Sequence, residues 1–325
     1  MLRIGLALAA LVPAACRAAD PVPRVRIDAP YVLVLGTAQD AGLPQIGCTD
    51  APCEAARRDP QKRRLVTSLL LVDPRSSRRW LFDCTPDLPE QVELARGHAD
   101  PRRGANSRGA GGRPRLFEGI FLTHAHIGHY TGLAQLGAEA YATELTPVHG
   151  SRRMAEFLAQ NGPWDLLVEQ GRIEPRAMAA DEALELAPDL AVTALSVPHR
   201  DEYTDTFAFL IRGPRRSLLY LPDIDKWERW ERRIEDVLAS VDHALLDGAF
   251  FADGEIPGRS MADIPHPSVA ESLERFAPLP ASERAKVWFT HLNHTNPAAD
   301  PESAAAARVR ASGMHVAREG DVFEL

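Results

Sequence analysis

The chain has 325 residues with 45 Asp and Glu against 37 Lys and Arg, which gives a formal net charge of −8. This acidic balance argues against a nucleic-acid partner, which would normally need a basic face. With 45% hydrophobic and 25% charged residues, the composition is that of an ordinary globular protein and not of a disordered one. We therefore expect a folded protein whose partner is a small molecule.

The first 19 residues have the features of an export signal. Arg3 precedes an apolar run, Ile4–Val12, and residues 13–19 are mostly small. A run of this length suits a secretory signal and is too short to span a bilayer. We expect cleavage near Ala18 and export to the periplasm, with a lipid anchor on Cys16 as the alternative. No other segment of the sequence is apolar enough to predict a membrane span.

From residue 31 onward, short apolar runs alternate with helical segments, which indicates one α/β domain over residues 20–325. The predicted strands are Tyr31–Gly36, Val66–Asp73, Trp80–Asp83, Phe117–Leu122, Ala191–Val197, Thr206–Ile211, Ser217–Leu221, Ala244–Asp247, Val287–Thr290 and two short strands within His315–Leu325. The predicted helices are Gly132–Ala142, Asp225–Ser240, Pro267–Phe276 and Glu302–Ala311. The stretch Arg102–Arg115 carries five Arg among Gly, Ser and Pro, which predicts a solvated loop.

Three histidines, His124, His126 and His129, directly follow the strand predicted at Phe117–Leu122. A turn after a strand exposes side chains at the sheet edge, where two of these imidazoles can face one cation. Imidazole nitrogen suits Zn²⁺ or Fe²⁺, and catalytic zinc commonly has three protein ligands and a water. Because chance is a poor explanation for such a cluster, we predict a metal site here.

This motif resembles that of the metallo-β-lactamase superfamily, whose hallmark is His-x-His-x-Asp-His after a strand. Four further positions match that superfamily in chain order, each at or just after the end of a predicted strand: Asp83, His199, Asp223 and His291. The resemblance covers roughly residues 31–325. It implies a four-layer αββα sandwich.

Gly128 stands where the superfamily motif has Asp. The resemblance implies one ion held by His124, His126 and His199 and a second held by His129, Asp223 and His291, with Asp223 shared. Since Gly offers no ligand, we expect one tightly bound Zn²⁺ and a weaker second ion, with iron and manganese as other candidate metals.

A metal ion lowers the pKa of its bound water from near 16 to about 7, which produces hydroxide at neutral pH. The missing Asp would also have oriented that water, and Asp83 or Asp40 is the candidate replacement. Asp83 has a purely structural alternative. His266 is the candidate proton donor to the leaving group, with a structural position at the start of a helix as its alternative.

Residues 35–45, 246–248 and 291–297 resemble the branch that contains pyrroloquinoline-quinone synthesis protein B and its phosphodiesterase relatives. Protein B itself is not expected to keep the full His-x-His pair, so the likeness indicates relationship and does not assign cofactor synthesis. Phosphodiesterases of this branch carry a structural zinc, and the resemblance implies these ligands for it here: Cys48, Asp50, Cys53 and His294. A Cys48–Cys53 disulfide is the alternative in an oxidising compartment.

The expected function is hydrolysis of an ester, lactone or phosphodiester by metal-bound hydroxide. One alternative is an iron-dependent oxidative enzyme related to quinone-cofactor synthesis, and the other is a metal-binding relative without turnover. The pocket walls are expected from residues 102–115, Arg200–Asp205 and Phe250–His266. The sequence predicts neither the substrate nor the oligomeric state.

Overall fold

A computed structural model describes residues 28–99 and 113–325. The predicted signal segment, with Cys16, and most of the Arg102–Arg115 loop lie outside the described residues. Within the two described ranges, no helix combines the length and the apolar character that a membrane crossing requires.

Fourteen strands in this part of the chain form two seven-stranded sheets. The first sheet contains β1 (Tyr31–Gly36), β2 (Ser68–Asp73), β3 (Arg78–Phe82), β4 (Gly119–Phe121), β5 (Thr146–Gly150), β6 (Ile173–Ala177) and β14 (Val322–Glu324), in the order β14-β1-β2-β3-β4-β5-β6. The second contains β7 (Ala183–Ala187), β8 (Leu190–Val197), β9 (Thr206–Arg212), β10 (Ser217–Leu221), β11 (His243–Asp247), β12 (Val287–Thr290) and β13 (His315–Val316), in the order β13-β12-β11-β10-β9-β8-β7. The last strand therefore pairs with the first, which ties the two ends of the fold together.

The α-helices are short and lie outside the sheets or in the loops. They are α1 (Ala51–Arg58), α2 (Leu88–Leu94), α3 (Ile127–Tyr130), α4 (Arg152–Gln160), α5 (Trp164–Glu169), α6 (Ile234–Ala239), α7 (Val269–Phe276), α8 (Ala281–Arg284) and α9 (Ala304–Ala311). Apolar residues of α2, α4 and α5 pack on the first sheet, and those of α6, α7 and α9 pack on the second.

Alternation along the strands builds three layers of core, because successive side chains of a strand point to opposite faces. In β1, Leu33 and Leu35 pack with the helices outside the first sheet, whereas Val32 and Val34 pack between the two sheets. The strands of the second sheet divide their side chains in the same way. The αββα sandwich expected from the sequence is confirmed.

The single helix predicted at Asp225–Ser240 is wrong. A 3₁₀ turn ends at Arg229, the backbone is extended at Trp230 and at Arg233, and only α6 is helical. The Trp230 indole donates a hydrogen bond to the Ser196 carbonyl oxygen at 2.9 Å. Because this hydrogen bond fixes the indole on β8 of the second sheet, the chain does not continue as one helix. The apolar residues nevertheless have helical spacing.

The helix predicted at Gly132–Ala142 is also wrong. The chain forms a 3₁₀ turn over Thr131–Leu136 and is extended at Gly137. The Gly132 amide donates to the Cys84 carbonyl oxygen at 2.9 Å, so this turn is docked against the chain that leaves β3. That docking brings the histidine loop close to Asp83.

The functional loops leave the carboxyl ends of the strands. Strands β3 to β6 are parallel to one another, as are β10 to β13. In layered α/β folds, ligands bind outside the carboxyl ends of parallel strands. The loops after β1, β3, β4, β8, β10 and β12 carry most of the predicted site residues to that edge.

Candidate metal centre

Six predicted ligands from four loops converge on one buried centre. They are His124, His126 and His129 after β4, His199 after β8, Asp223 after β10 and His291 after β12. The ligand atoms of His124, His126 and His199 all lie within 4.8 Å of one another. The six side chains that the sequence analysis gave as candidate ligands therefore lie close together in the structure.

Asp223 lies between the two groups of histidines. Its Oδ2 is 3.0 Å from His129 Nε2 and 3.2 Å from His291 Nε2. On the other side, its Oδ1 is 3.6 Å from His199 Nε2, and its Oδ2 is 3.9 Å from His124 Nε2. One carboxylate can thus reach two cations, as the bridging role expected of Asp223 requires.

The chemistry of these donors fits divalent metal ions. Two ligand atoms about 2.1 Å from a tetrahedral zinc lie roughly 3.4 Å apart, which is close to the separations around Asp223. Among the described residues, none forms a hydrogen bond with the buried Nε2 atoms of His129, His199 and His291 or with Asp223 Oδ2. Buried polar atoms without partners are rare in folded proteins, and a metal ion would satisfy these.

Electrostatics keeps His124, His199, His291 and Asp223 in the form that binds metal. His129 differs, because burial lowers its pKa but Asp83 and Asp223 outweigh burial and raise the pKa well above its usual range. Burial lowers the pKa of His199 to about 3 and holds the pKa of His124 well below its usual range. Burial would raise the pKa of Asp223, but the surrounding imidazoles, His291 foremost, hold it well below its usual range. Neutral imidazoles and an ionised carboxylate are the protonation states that a cation requires.

Hydrogen bonds behind the ligands orient their rings. Asp83 Oδ2 is 2.9 Å from His129 Nδ1, and the Thr123 hydroxyl, which donates to Asp83, is 3.0 Å from His124 Nδ1. Protons on these two Nδ1 atoms leave the Nε2 lone pairs for the metal. In His126 the two ring nitrogens exchange these roles. Its Nε2 is 3.1 Å from Glu202 Oε2, and its Nδ1 faces His124 and is the nitrogen available to the metal.

Asp83 therefore contacts the Nδ1 side of the candidate ligand His129. It is fully buried and adopts a left-handed backbone conformation with φ of 59°, which is uncommon for residues other than Gly. His291 has the same unusual geometry, with φ of 60°. Strained backbone of this kind is found at functional sites, where the surrounding structure enforces it.

His266 belongs to the same centre. Its Nδ1 is 2.7 Å from Asp247 Oδ2 and 3.6 Å from Asp223 Oδ1, and its ring centroid is 5.3 Å from that of His199. Burial lowers the pKa of His266, but the Asp247 carboxylate outweighs it, so that the pKa is raised above its ordinary value. An imidazole held in this way can carry a proton.

Asp40, on the loop after β1, also reaches the centre. Its Oδ1 is 3.8 Å from His129 Nε2 and accepts a hydrogen bond from the Gly128 amide at 3.2 Å. The ligand atoms of Asp40, His129 and His291 lie within 4.8 Å of one another.

A cavity of about 420 Å³ opens beside the metal centre, and Asp40 and His126 form part of its wall. Four aromatic residues line it: Tyr130, Phe157, Trp164 and Tyr203. Arg200 lines it as well, and its guanidinium is 3.5 Å from the carboxylate of Glu202. Of the three predicted walls, Arg200–Asp205 contributes to this cavity, Phe250–His266 supplies His266 to the centre, and residues 102–112 lie outside the described residues.

Comparison with known proteins agrees with this geometry. The family model for a Beta-lactamase superfamily domain matches residues 78–292, which is well over half of the chain. The chain belongs to the β-lactamase superfamily. The predicted resemblance to that superfamily is confirmed.

Several known proteins resemble this chain over most of its length. Coenzyme PQQ synthesis protein B of Methylobacterium nodulans is 28% identical over 315 residues, covering 90% of this chain and 99% of that protein. The crystal structure of Zn²⁺-bound PqqB from Methylobacterium extorquens has a TM-score of 0.73 at 22% identity and covers 91% of this chain and 100% of that one. A diphosphatase from the PhnP family has a TM-score of 0.62 at 21% identity, with 91% and 97% covered. These two structures bear on the fold alone.

A second group of candidate metal ligands in this superfamily member lies at α1. The ligand atoms of Cys48, Cys53 and His294 lie within 4.8 Å of one another, and both thiols are free. Asp50 immediately precedes α1 and is exposed. Burial lowers the pKa of His294, and the nearby negative charge of Asp50 acts in the opposite direction. Three of the four predicted ligands are thus brought together, with Asp50 nearby.

Sequence reasoning missed the residues that support the ligands. Thr123 and Tyr220 were not singled out, Glu202 was included only in a predicted pocket wall, and Asp247 was included only in a predicted strand and in a stretch shared with relatives. A polar side chain that hydrogen-bonds a ligand has no fixed spacing from it along the chain. Only Asp247 had a usable signal, since it ends an apolar strand beside the site.

Proposed function

We propose that this protein is a metal-dependent hydrolase that cleaves an ester, lactone or phosphodiester bond in a small molecule. The proposal rests on one observation, the convergence of five histidines and Asp223 from four separate loops on one buried centre. The superfamily match and the zinc-bound relative support Zn²⁺ as the metal, with iron or manganese as other candidates. Bound there, the metal would activate water and polarise the oxygen of the scissile group.

The residues of the chain have separate tasks in such a reaction. Asp83, Thr123 and Glu202 hold the ligand rings in one orientation. His266, paired with Asp247, is placed to give a proton to the leaving group. The cavity beside His126 receives the substrate.

The test is metal analysis of the purified protein together with a screen of chromogenic esters, lactones and phosphodiesters. We expect bound zinc, turnover of at least one class of substrate, and loss of that turnover after chelation with recovery on adding Zn²⁺. His126→Ala is expected to abolish turnover. Undiminished turnover by that variant would overturn the proposal.

Removing the proposed proton donor should slow the reaction without emptying the metal centre. His266→Gln is expected to lower kcat by about 10²- to 10⁴-fold, the range typical of general acid catalysis. Asp247→Asn should lower kcat in the same direction, because the carboxylate holds His266. Steady-state kinetics with metal content measured in parallel tests this, and an unchanged kcat in both variants would remove His266 from the mechanism.

We further propose that the substrate carries an apolar or planar group and an acidic group. The four aromatic side chains of the cavity can pack against an apolar or planar group. Arg200, which is half-exposed beside His126, can pair with an acidic group. Tyr203 is 62% exposed and its ring centroid is 5.4 Å from that of Phe157, so a ligand can stack against it.

Tyr203→Ala is therefore expected to raise KM by up to about tenfold, since an aromatic contact contributes about 0.5–1.5 kcal/mol. The kcat should stay within about twofold, because the ring contact of Tyr203 is with Phe157 and not with a candidate metal ligand or His266. Tyr203→Phe is the matched control and should keep the wild-type KM. A KM unchanged in Tyr203→Ala would contradict this assignment of the substrate cavity.

The similarity to PQQ synthesis proteins over 90% of the chain favours a second candidate, an iron-dependent oxidative enzyme related to quinone-cofactor synthesis. Iron as the bound metal, with substrate-dependent oxygen consumption and no hydrolysis, would favour it over the hydrolase. Metal binding without either activity would indicate a non-catalytic relative.

We also propose export to the periplasm through residues 1–19 and a structural Zn²⁺ at Cys48, Cys53 and His294, with Asp50 as a fourth ligand. Cell fractionation and the mature N-terminus test the first. For the second, Cys48→Ser is expected to remove one zinc per chain, whereas a Cys48–Cys53 disulfide in the purified protein would exclude it.

A further inference from the structure

Residue 128 and Asp40 compete for the same space beside the second half of the metal centre. A Cβ added to Gly128 would lie 2.5 Å from Asp40 Oδ1 and 2.6 Å from Asp40 Cα. Real Cβ atoms essentially never approach other atoms so closely, and the contact with the Asp40 backbone cannot be relieved by turning a side chain. A side chain at 128 and the observed position of Asp40 therefore exclude each other.

The loop that carries Asp40 is fixed in this position. The Gln39 amide donates to the Leu292 carbonyl oxygen at 2.9 Å, and the Leu292 amide donates to the Thr37 carbonyl oxygen at 2.8 Å. The Asn293 side-chain amide donates to Gln39 Oε1 at 2.6 Å. These bonds tie the loop after β1 to the loop that carries His291, so Asp40 is held beside one of the ligands.

We propose that Asp40 is a protein ligand of the second metal ion and takes the place of the aspartate that residue 128 supplies in the superfamily motif. The proposal rests on the metal centre of the proposed function. Asp40 Oδ1 lies where a side chain from residue 128 would lie. The ligand atoms of Asp40, His129 and His291 lie within 4.8 Å of one another. The exchange keeps two carboxylates at the centre, Asp40 and Asp223, and restores four protein ligands to the second ion.

This revises the expectation of a weak second ion. That expectation followed from the lack of a ligand at Gly128, but a carboxylate from a distant part of the chain fills the same position. A Gly128→Asp variant is expected to bind the second ion more weakly than the wild type, because its new Cβ would collide with the side chain and the backbone of Asp40.

The experiment measures Zn²⁺ and Co²⁺ binding to the metal-free full chain by calorimetric titration, with metal content by mass spectrometry. Asp40→Ala is expected to lose one ion per chain or to bind it at least 10-fold more weakly. Asp40→Asn keeps the acceptor for the Gly128 amide and should also bind more weakly, because an amide is neutral. Glu93→Ala, which removes a carboxylate with 60% of its side chain exposed on α2, is the matched control and should bind like the wild type.

Melting curves of the metal-free proteins establish that each variant is folded. An Asp40→Ala protein that binds both ions like the wild type would overturn the inference.

The outcomes separate this inference from the proposed function. If Asp40→Ala binds both ions normally and the wild type hydrolyses a substrate, the inference fails and the hydrolase stands. If Asp40→Ala loses one ion but the wild type turns over no substrate, the inference stands and the hydrolase fails.

Discussion

Replacing Asp223 with alanine is expected to reduce turnover on the order of 10³-fold or more and to lower the metal content of the purified protein. Asp223 is the carboxylate that reaches both groups of histidines, with Oδ2 3.0 Å from His129 Nε2 and Oδ1 3.6 Å from His199 Nε2. A bound metal supplies several kcal/mol of charge stabilisation in the transition state, and each 1.36 kcal/mol corresponds to about tenfold in rate. Steady-state kinetics and elemental analysis of the same preparation measure both effects.

A matched control lies two residues further along the same loop. Asp225 pairs with the Arg229 guanidinium, and its substitution by Asn should leave the metal content unchanged. If Asp223→Ala kept its full metal content and activity, the two groups of histidines would not share this carboxylate. The bridging role would then be wrong.

Replacing Asp83 with alanine is expected to have a large effect on the free energy of unfolding. Asp83 is fully buried and accepts hydrogen bonds from the Thr123 amide at 2.9 Å, the Thr123 hydroxyl at 3.0 Å and the Tyr220 hydroxyl at 3.0 Å, and it is 2.9 Å from His129 Nδ1. Because Thr123 belongs to the first sheet's loop and Tyr220 to the second sheet, this carboxylate joins the two halves of the sandwich. Asp83→Ala would leave these buried groups without their acceptor.

We expect Asp83→Ala to lower the free energy of unfolding by about 3–5 kcal/mol, as for other broken buried charged pairs. Urea denaturation of the metal-free protein measures this without a contribution from metal binding. Asp83→Asn retains the shape and one acceptor oxygen, so its loss should be smaller. A loss below about 1 kcal/mol in Asp83→Ala would mean that this hydrogen-bond network does not stabilise the fold.

The sequence alone places the candidate metal ligands at one edge of the sandwich, because each lies directly after a strand and the motif fixes its neighbours. His199, Asp223 and His291 follow β8, β10 and β12 within a few residues, so the predicted strand ends placed them at one edge. The supporting residues are different. Glu202 contacts His126 from a loop 76 residues away, and nothing in the local sequence indicates that contact.

Several elements were missed for identifiable reasons. Strands β5 and β6 contain Pro147 and Pro175, and proline within a run argues against a strand when only the sequence is read. Helices α1 and α2 are short, but each begins with Asp followed by an early Pro, a recognised helix-start signal that could have found them. The predicted helix is interrupted at Trp230 because its indole is hydrogen-bonded to Ser196 of the second sheet. Helix propensity contains no information about such a tertiary contact.

The relation between Asp40 and Gly128 could not have been found from spacing. The two residues are 88 positions apart and meet only because the loop after β1 is hydrogen-bonded to the loop after β12. The sequence indicated a missing ligand, and only the fold indicates which side chain lies in its place.

Anomalous X-ray diffraction from crystals of the zinc-loaded protein, measured on both sides of the zinc absorption edge, tests the metal centre most directly. Two-metal sites have ions about 3.5–4 Å apart, and we expect two peaks at such a separation on either side of Asp223. One peak should be bounded by His124, His126 and His199, and the other by His129, His291 and Asp40. Zinc peaks found only at Cys48 and Cys53, with none beside Asp223, would contradict the account.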